Sequence, residues 1–410
     1  MRLLLIGFNS GVLTALAHMD DLRITVVEEP DLWEVKGLAA KVTRHPVVDD
    51  VRFARYQQDD HVLDVVADLA PTVDAVAPGL EYAVPAAARV AHRLGLPGAG
   101  PAAADLLRDK LELRRVTSAA GMPSPRFAEI TSPQDIEAFA GGGPCVVKPA
   151  NRQASLGVVL LDAGDDPTQA WEACTRTDEG RQVAKRAMRW RYMVEERLRG
   201  PEHSTECLVT DGTVGFLNVT AKATVPGRRP VELGHVVPSP DGEDPLWRDA
   251  VEQLVAATGF GYGMLHAEWV LVDGVPHLIE CAGRPPGDHI LDLVDLAYGT
   301  RLTQTWVTTL AGAPQGPPPP ARRAAAIRFL TARPGVISSV TGADEAGAAP
   351  GVQTVEVTCT VGDRVGELTS SWDRCGSVIA VGDDPATATA RAEQAAALLE
   401  VQVTPAAVPT

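Results

Sequence analysis

The sequence predicts a protein of mixed class: an α/β parallel sheet first, α+β segments after it, and a small strand-rich piece at the C-terminal end. Three observations predict this. Short apolar strands alternate with helix-like stretches over the first hundred or so residues, RLLLIG, RITVVEE, a segment ending VDAVAPG, then PAAARVAHRLG, the pattern of parallel strands joined by crossover helices. From Met264 to Ile290 the text reads as two strands joined at Asp273-Gly274, followed by a glycine-rich entry into a helix. Beyond a proline run at residues 313–323, the stretches AAAIRFLTA, GVISSV, VQTVEVTCT, RVGELTS and CGSVIAVG read as strands, and PATATARAEQAAALLEV reads as a closing helix.

Composition narrows the class. A chain of 410 residues is too long for one core, and the expected division is 1–105, 106–312, a stiff linker at 313–323, and 324–410. Hydrophobic residues make up 45% and charged ones 22%, as in a globular soluble protein. A formal charge of −16 argues against nucleic acid or an anionic membrane as partner, while leaving room for a local basic pocket. The six cysteines are scattered with no C-x-x-C, which fits reduced thiols in a cytoplasm better than disulfides or structural zinc. The opening MRLLLIG reads as a buried strand, because its apolar run stops at Gly7 without a signal peptide's longer core.

Within the first region, the Gly7 to Gly11 turn is half of a dinucleotide fingerprint and reads as a tight turn. Glu81 follows a strand and precedes a helix, where open α/β sheets present residues to ligands; an acid in a helix's first turn is the plain alternative. DLLRDKLELRRVTSAAGMPSPRF then reads as one charged helix ended by Gly121 and Pro123, with Lys110 on it as either surface or ligand-facing cation. PCVVKPANRQASLGVVLL is a strand, a polar loop and a second strand. Lys148 ends the apolar strand, where its amine is a poor neighbour for a core unless it neutralises something. Backbone N–H groups from Asn151 to Gly157 suit a loop over phosphates, or simply an exposed hairpin. RYMVEERLRGPEHSTECLVTDGTVG gives a strand, a connector at Glu195 to Leu198, and another strand turning at Asp211-Gly212. VELGHVVPSP places Glu232 and His235 just past a loop, and a single histidine of this kind is more often structural. PLWRDAVEQLVAATGF, GDHILDLVDLAYG and TRLTQTWVTTLAG read as helices; the sequence leaves the oligomeric state open, with a homodimer through an exposed apolar helix such as the last as one option.

Two acids, Glu268 and Glu280, lie in the hairpin. A two-residue loop at Asp273-Gly274 would set Glu268 against Ile279 and put Glu280 on the other face. A three-residue loop, Asp273 to Val275, pairs Glu268 with Glu280 and lines Val270, Leu278, Ala282 and Arg284 along the same face. Facing carboxylates destabilise a sheet, so the pattern points either to a divalent cation shared with substrate phosphates or to an ordinary exposed hairpin that avoids the pairing.

Taken in order, Lys110, Lys148 with its loop, VEERL, GPEHSTE, HAEW and IECAGR resemble the ATP-grasp superfamily, and within it the carboxylate–amine ligases that include the L-amino-acid (dipeptide) ligases. The similarity runs through nearly the whole chain, from an N-terminal pre-ATP-grasp sheet to a C-terminal piece. The resemblance implies an ATP-grasp domain over 106–312 with a lid lobe at about 112–192. It implies that Lys110 and Lys148 touch ATP phosphates under the loop containing Ser155. Adenine would be read by the connector backbone at Glu195, Glu196 and Leu198, the ribose would be held by Glu202, and magnesium, or manganese in its place, by Glu268 and Glu280. Arg284 would stand beside the transferred phosphoryl group, and His235 and Glu81 would meet the substrates. Many relatives carry asparagine two residues after the second glutamate. Ala282 stands there, and the dipeptide-ligase branch tends to have a small residue at that position.

The implied activity is transfer of ATP's γ-phosphoryl to a small carboxylate substrate and capture of the acylphosphate by an amine, with amino acids as candidate substrates for both parts. A carboxylase or purine-pathway relative using bicarbonate, and a non-catalytic nucleotide-binding protein, are the alternatives.

Overall fold

The computed structural model describes residues 1–70, 72–225 and 231–404. The expected C-terminal region therefore runs past the described residues at 405–410.

The first strands do form a parallel sheet. Arg2–Ile6 lies between Arg23–Glu28 and Ala75–Pro78, with Val48–Phe53 outside the second strand. Leu3, Leu4, Leu5 and Ile6 are all buried, which is why this strand reads as an unbroken apolar run: helices cover both faces of a parallel sheet. Helix Val84–Leu94 follows the last strand and is ended by Gly95 in the left-handed region at φ 68°.

The charged stretch after it is two helices, Pro101–Leu107 and Lys110–Ala119, and not the single helix expected. Asp109 breaks it by capping the second: its Oδ1 accepts from the backbone N–H of Leu111 at 2.9 Å and of Glu112 at 3.3 Å. Lys110 is thereby the first residue of a helix. A lobe follows in which Phe127–Ile130, Tyr192–Glu196, Cys145–Pro149 and Val159–Leu161 form an antiparallel sheet backed by helices Pro133–Ala140 and Pro167–Thr175.

The central sheet has eight strands, in the order Val275–Ala282, Gly263–Val272, Glu202–Thr210, Thr213–Thr224, Glu232–Val237, Ala324–Leu330, Gly376–Gly382, Val352–Val357. Strands from beyond the proline linker thus continue the sheet that carries the candidate site. One face packs on helix Pro245–Thr258 through Trp247, Val251, Leu254, Leu265, Trp269 and Leu278. The other face is apolar at Met264, Leu208 and Phe216, where helices Ile290–Tyr298 and Leu302–Leu310 cover it. Further along each strand that face becomes polar. Helix Leu302–Leu310 is not exposed as expected: Leu302, Trp306, Val307 and Leu310 are buried in this core, which removes the ground for a homodimer through it. The final helix ends at Ala396, and Glu400–Thr404 is a strand paired with Gly335–Thr341.

The hairpin reaches the expected pairing by another route. Val272 faces Val275, so the loop has two residues, Asp273 and Gly274, both with positive φ (50° and 79°), as a type I′ turn requires. The odd residue is a bulge at Ile279: Trp269 faces Leu278, the register shifts, and Glu268 faces Glu280. Leu278 therefore lies on the apolar face with Trp269, and Val270 faces His277, correcting the set of same-face residues read from a three-residue loop. The bulge is anchored, since the Ile279 carbonyl accepts from Arg114 Nη2 at 2.7 Å.

Candidate active site

A cavity of about 570 Å³ opens between the four-stranded antiparallel lobe and the polar face of the central sheet. Lys110, Lys148, Ser155, Glu195, Glu196, Leu198, Glu202, His235, Glu268, Glu280 and Arg284 all line it, so residues spread over 175 positions meet there. The sheet geometry explains the convergence. Lys222 pairs across the ladder with Glu202 on one side and His235 on the other, and Glu268 sits one step further along that face.

Facing carboxylates are tolerated because each has its own cation. Lys110 Nζ lies 2.9 Å from Glu280 Oε2 and donates to the Arg152 carbonyl at 3.0 Å. Lys222 Nζ lies 2.7 Å from Glu268 Oε1 and 3.7 Å from Glu232. Burial opposes ionisation of Glu268, yet Lys222 and then His266 outweigh it and hold its carboxyl well below the usual range. Burial also works against the Lys222 ammonium, which Glu268 and Glu232 stabilise enough to lift its pKa above the ordinary lysine value. Glu202 beside them is pushed up by burial, Lys222 offsetting this only partly.

Lys148 is the penultimate residue of the strand Cys145–Pro149, with its amine buried and ion-paired to Glu195, whose other oxygen is 3.2 Å from Arg114 Nη2. Burial lowers the Lys148 pKa despite that partner. Glu195 belongs to the strand Tyr192–Glu196, so the connector begins at Arg197; the carboxylate of Glu195 is committed to Lys148 and Arg114, whereas the expected contact with adenine is through backbone. Glu196 and Leu198 remain on the cavity wall. Ser155 sits in the loop with φ 55°, next to Ala154 at 57°.

Glu81 is placed differently from expectation. It is buried behind Arg284, and its two oxygens are ion-paired to Arg284 and to Arg108. Burial opposes its ionisation, but the Arg284 and Arg108 guanidiniums bring its pKa down to about 2. A carboxylate held by two arginines orients Arg284 and is not available to a substrate amine. His235 lines the cavity with its Nε2 3.8 Å from Asp288 Oδ2, beyond hydrogen-bond length, and its ring edge-on to Phe329.

Several cavity residues escaped the sequence reading. Lys222 had a signal, a lone lysine within the strand-like NVTAKAT. His266 had one too, since it stands two residues from Glu268 and must share its face. Ser371, Trp372 and Arg374 had none: they come from the C-terminal region, and Arg374 forms a two-pronged ion pair with Asp288, with Nη1–Oδ2 at 3.0 Å, while lying 3.7 Å above the Phe329 ring.

Residues 142–292 match the family model of the ATP-grasp domain, and residues 328–404 match that of L-amino acid ligase C-terminal domain 2. Residues 142–292 are an ATP-grasp domain. The chain has the fold of the L-amino acid ligase from Bacillus licheniformis, with a TM-score of 0.80 over 98% of both chains at 21% identity. Among curated sequences it is 26% identical to the uncharacterized protein y4rH of Sinorhizobium fredii over 77% of this chain, and 24% identical to alanine–anticapsin ligase of Bacillus subtilis over 72% of it. Each match spans 66% of the relative's own length.

As in an ATP-grasp layout, the cavity is held between two α+β lobes, with the lysine-bearing strand and loop on one and the acidic hairpin on the other. Among the described residues no group of three or more His, Cys, Asp or Glu side chains is arranged to hold a metal by itself. Two hard carboxylates in register on a cavity wall do suit a divalent cation that takes its other oxygens from phosphate and water. Among the same residues no helix is long and apolar enough to cross a membrane.

Proposed function

We propose that this protein is a carboxylate–amine ligase that joins two small molecules, amino acids foremost, by an amide bond, releasing ADP and phosphate. The observation that carries the reading is the in-register pair Glu268 and Glu280, with Lys110 on Glu280 and with Lys148 and Arg284 lining the same cavity. The name of one relative, alanine–anticapsin ligase, supports amino acids as the substrate class.

A carboxylate is a poor electrophile, so the γ-phosphoryl of ATP passes to it and supplies a leaving group. Lys110, Lys148 and Arg284 offset the anionic oxygens brought together in that step. Glu81 and Arg108 hold Arg284 in place for it. Glu268 and Glu280 would hold magnesium, or manganese, which draws negative charge from the phosphate oxygens when bound. The lid-lobe wall from Glu196 to Leu198 accommodates the adenine, with Glu202 toward the ribose. His235 lies at the substrate end of the cavity, beside Asp288. The loop Asn151 to Gly157 closes over the acylphosphate and keeps water from hydrolysing it before the amine attacks. The amine's nitrogen bonds to the acyl carbon, the bond between that carbon and the phosphate oxygen breaks with its electron pair leaving on inorganic phosphate, and the proton shed by the nitrogen passes to that phosphate or to solvent.

The test is ADP release over pairs of carboxylates and amines, with mass spectrometry for a product one water lighter than the pair. AMP and pyrophosphate would overturn the acylphosphate route. ADP release dependent on bicarbonate would redirect the reading to a carboxylase.

A further inference from the structure

We propose that Glu206 and His266 form a fixed support behind Glu268, positioning residues that hold this carboxylate where a divalent cation needs it. The proposal rests on Glu268 being a metal ligand, as argued above.

Glu206 lies at the middle of the strand Glu202–Thr210, fully buried, with Asn218 facing it on one neighbouring strand and His266 on the other. Its Oε1 accepts from Ser204 Oγ at 2.8 Å and from His266 Nδ1 at 3.0 Å. Its Oε2 accepts from Asn218 Nδ2 and Thr220 Oγ1, both at 2.7 Å. Asn218 is itself anchored, its Oδ1 accepting from Tyr298 Oη at 3.2 Å. Burying a carboxylate costs several kcal/mol unless its lone pairs are satisfied, and here four donors satisfy them. With four partners and no exposed surface, Glu206 has nothing left for a substrate. What it does hold is the imidazole of His266, whose Nε2 lies 3.3 Å from Glu268 Oε1.

The consequence is directional. The oxygen of Glu268 that His266 approaches is the one Lys222 touches at 2.7 Å. Two donors from different strands thus fix a side chain that would otherwise swing through several rotamers. Glu268 also sits at the residue where the hairpin register shifts, so its backbone lacks the regular ladder on one side. Ligands of metals are oriented by such outer partners, whose loss weakens metal binding about 10–100-fold.

The experiment uses the full chain. Mn2+ affinity in the presence of ADP is read by electron paramagnetic resonance, and ADP affinity in EDTA by calorimetry. The proteins are wild type, His266→Ala, His266→Gln, Glu206→Gln and Glu268→Gln. Expected is a loss of about 10–100-fold in Mn2+ affinity for His266→Ala, partial recovery in His266→Gln, whose amide nitrogen reaches toward Glu268, and metal-free ADP binding close to wild type in both. Should Glu206→Gln fail to fold, the two His266 variants decide alone. Wild-type Mn2+ affinity in His266→Ala with a lost site in Glu268→Gln overturns the support and leaves the ligand assignment standing. Equal weakening of Mn2+ and metal-free ADP binding means a merely structural pair, which also overturns it. Wild-type Mn2+ affinity in Glu268→Gln overturns the ligand assignment itself.

Discussion

The carboxylate of Glu81, just after the last strand of the N-terminal parallel sheet, is ion-paired to Arg284, which follows the acidic hairpin 203 residues later. A residue expected to meet substrate is instead what holds another site residue, and this has a measurable signature. Glu81→Gln leaves two guanidiniums uncompensated and should cost about 3 kcal/mol, the low end for breaking a buried pair, because Arg284 remains 23% exposed and can regain water. Its folded pKa is depressed, from an ordinary 4.5 to about 2. The stabilisation is therefore complete above pH 4.5 and disappears as pH falls toward 2, worth on the order of 3 kcal/mol by linkage. Urea unfolding of both proteins at pH 7 and pH 3 should show the gap between them narrowing at the lower pH. A constant gap would contradict the ion-pair origin.

Lys222 bridges Glu268 and Glu232 with its side chain 3% exposed. Lys222→Met should destabilise by about 3–5 kcal/mol, since it leaves carboxylates buried beside one another. Those carboxylates then have folded pKa values above their unfolded ones, so protonation favours the folded state. The deficit of the variant should accordingly be larger at pH 8 than at pH 5, as chemical denaturation at the two pH values would show.

Gly157 closes the loop over the cavity at φ 74°, and a Cβ there would lie 2.9 Å from the Cys174 carbonyl oxygen and 3.0 Å from Pro149 Cγ. Gly157→Ala strains the lid locally, by about 1–2 kcal/mol for the left-handed backbone alone. The expected result is leakage: ADP released should exceed amide formed, while a proportionate fall in both would mean the loop does not exclude water.

Glu280→Gln should lower ADP release by about 10²–10³-fold if the carboxylate is needed as the transition state forms. It also frees Lys110 from its 2.9 Å partner. Binding of metal-free ADP should then be unchanged or tighter, and weaker binding by calorimetry would show that Glu280 has a structural role only.

Much of the fold was legible because local patterning and turn chemistry carried it. Leu3 to Ile6 read as a strand buried on both faces, Asp273-Gly274 as a hairpin turn, and Lys148 as a lysine in a place that needs an anion; each is so in the structure. The failures share a cause. The break at Asp109 was hidden because its neighbours continue a helical pattern, and only the cap, made in three dimensions, decides it. The bulge at Ile279 was missed because a loop residue and a bulge residue shift the register equally. The apolar side of helix Leu302–Leu310 was visible, but not which surface it faced.

The sequence by itself determined which residues carry charge into apolar strands, and that two acids of one hairpin are accompanied by lysines, a small-residue loop and an arginine, because alternation and turn chemistry are properties of neighbouring residues. That the two acids face one another was decided by the bulge at Ile279. Only the tertiary structure decided which cation answers which carboxylate: Glu195 to Lys148, Glu280 to Lys110, Glu268 to Lys222 and His266, Glu81 to Arg284 and Arg108. Those pairings join separate strands, helices and loops, and a charge buried between such elements takes the nearest partner in space, which distance along the chain does not encode.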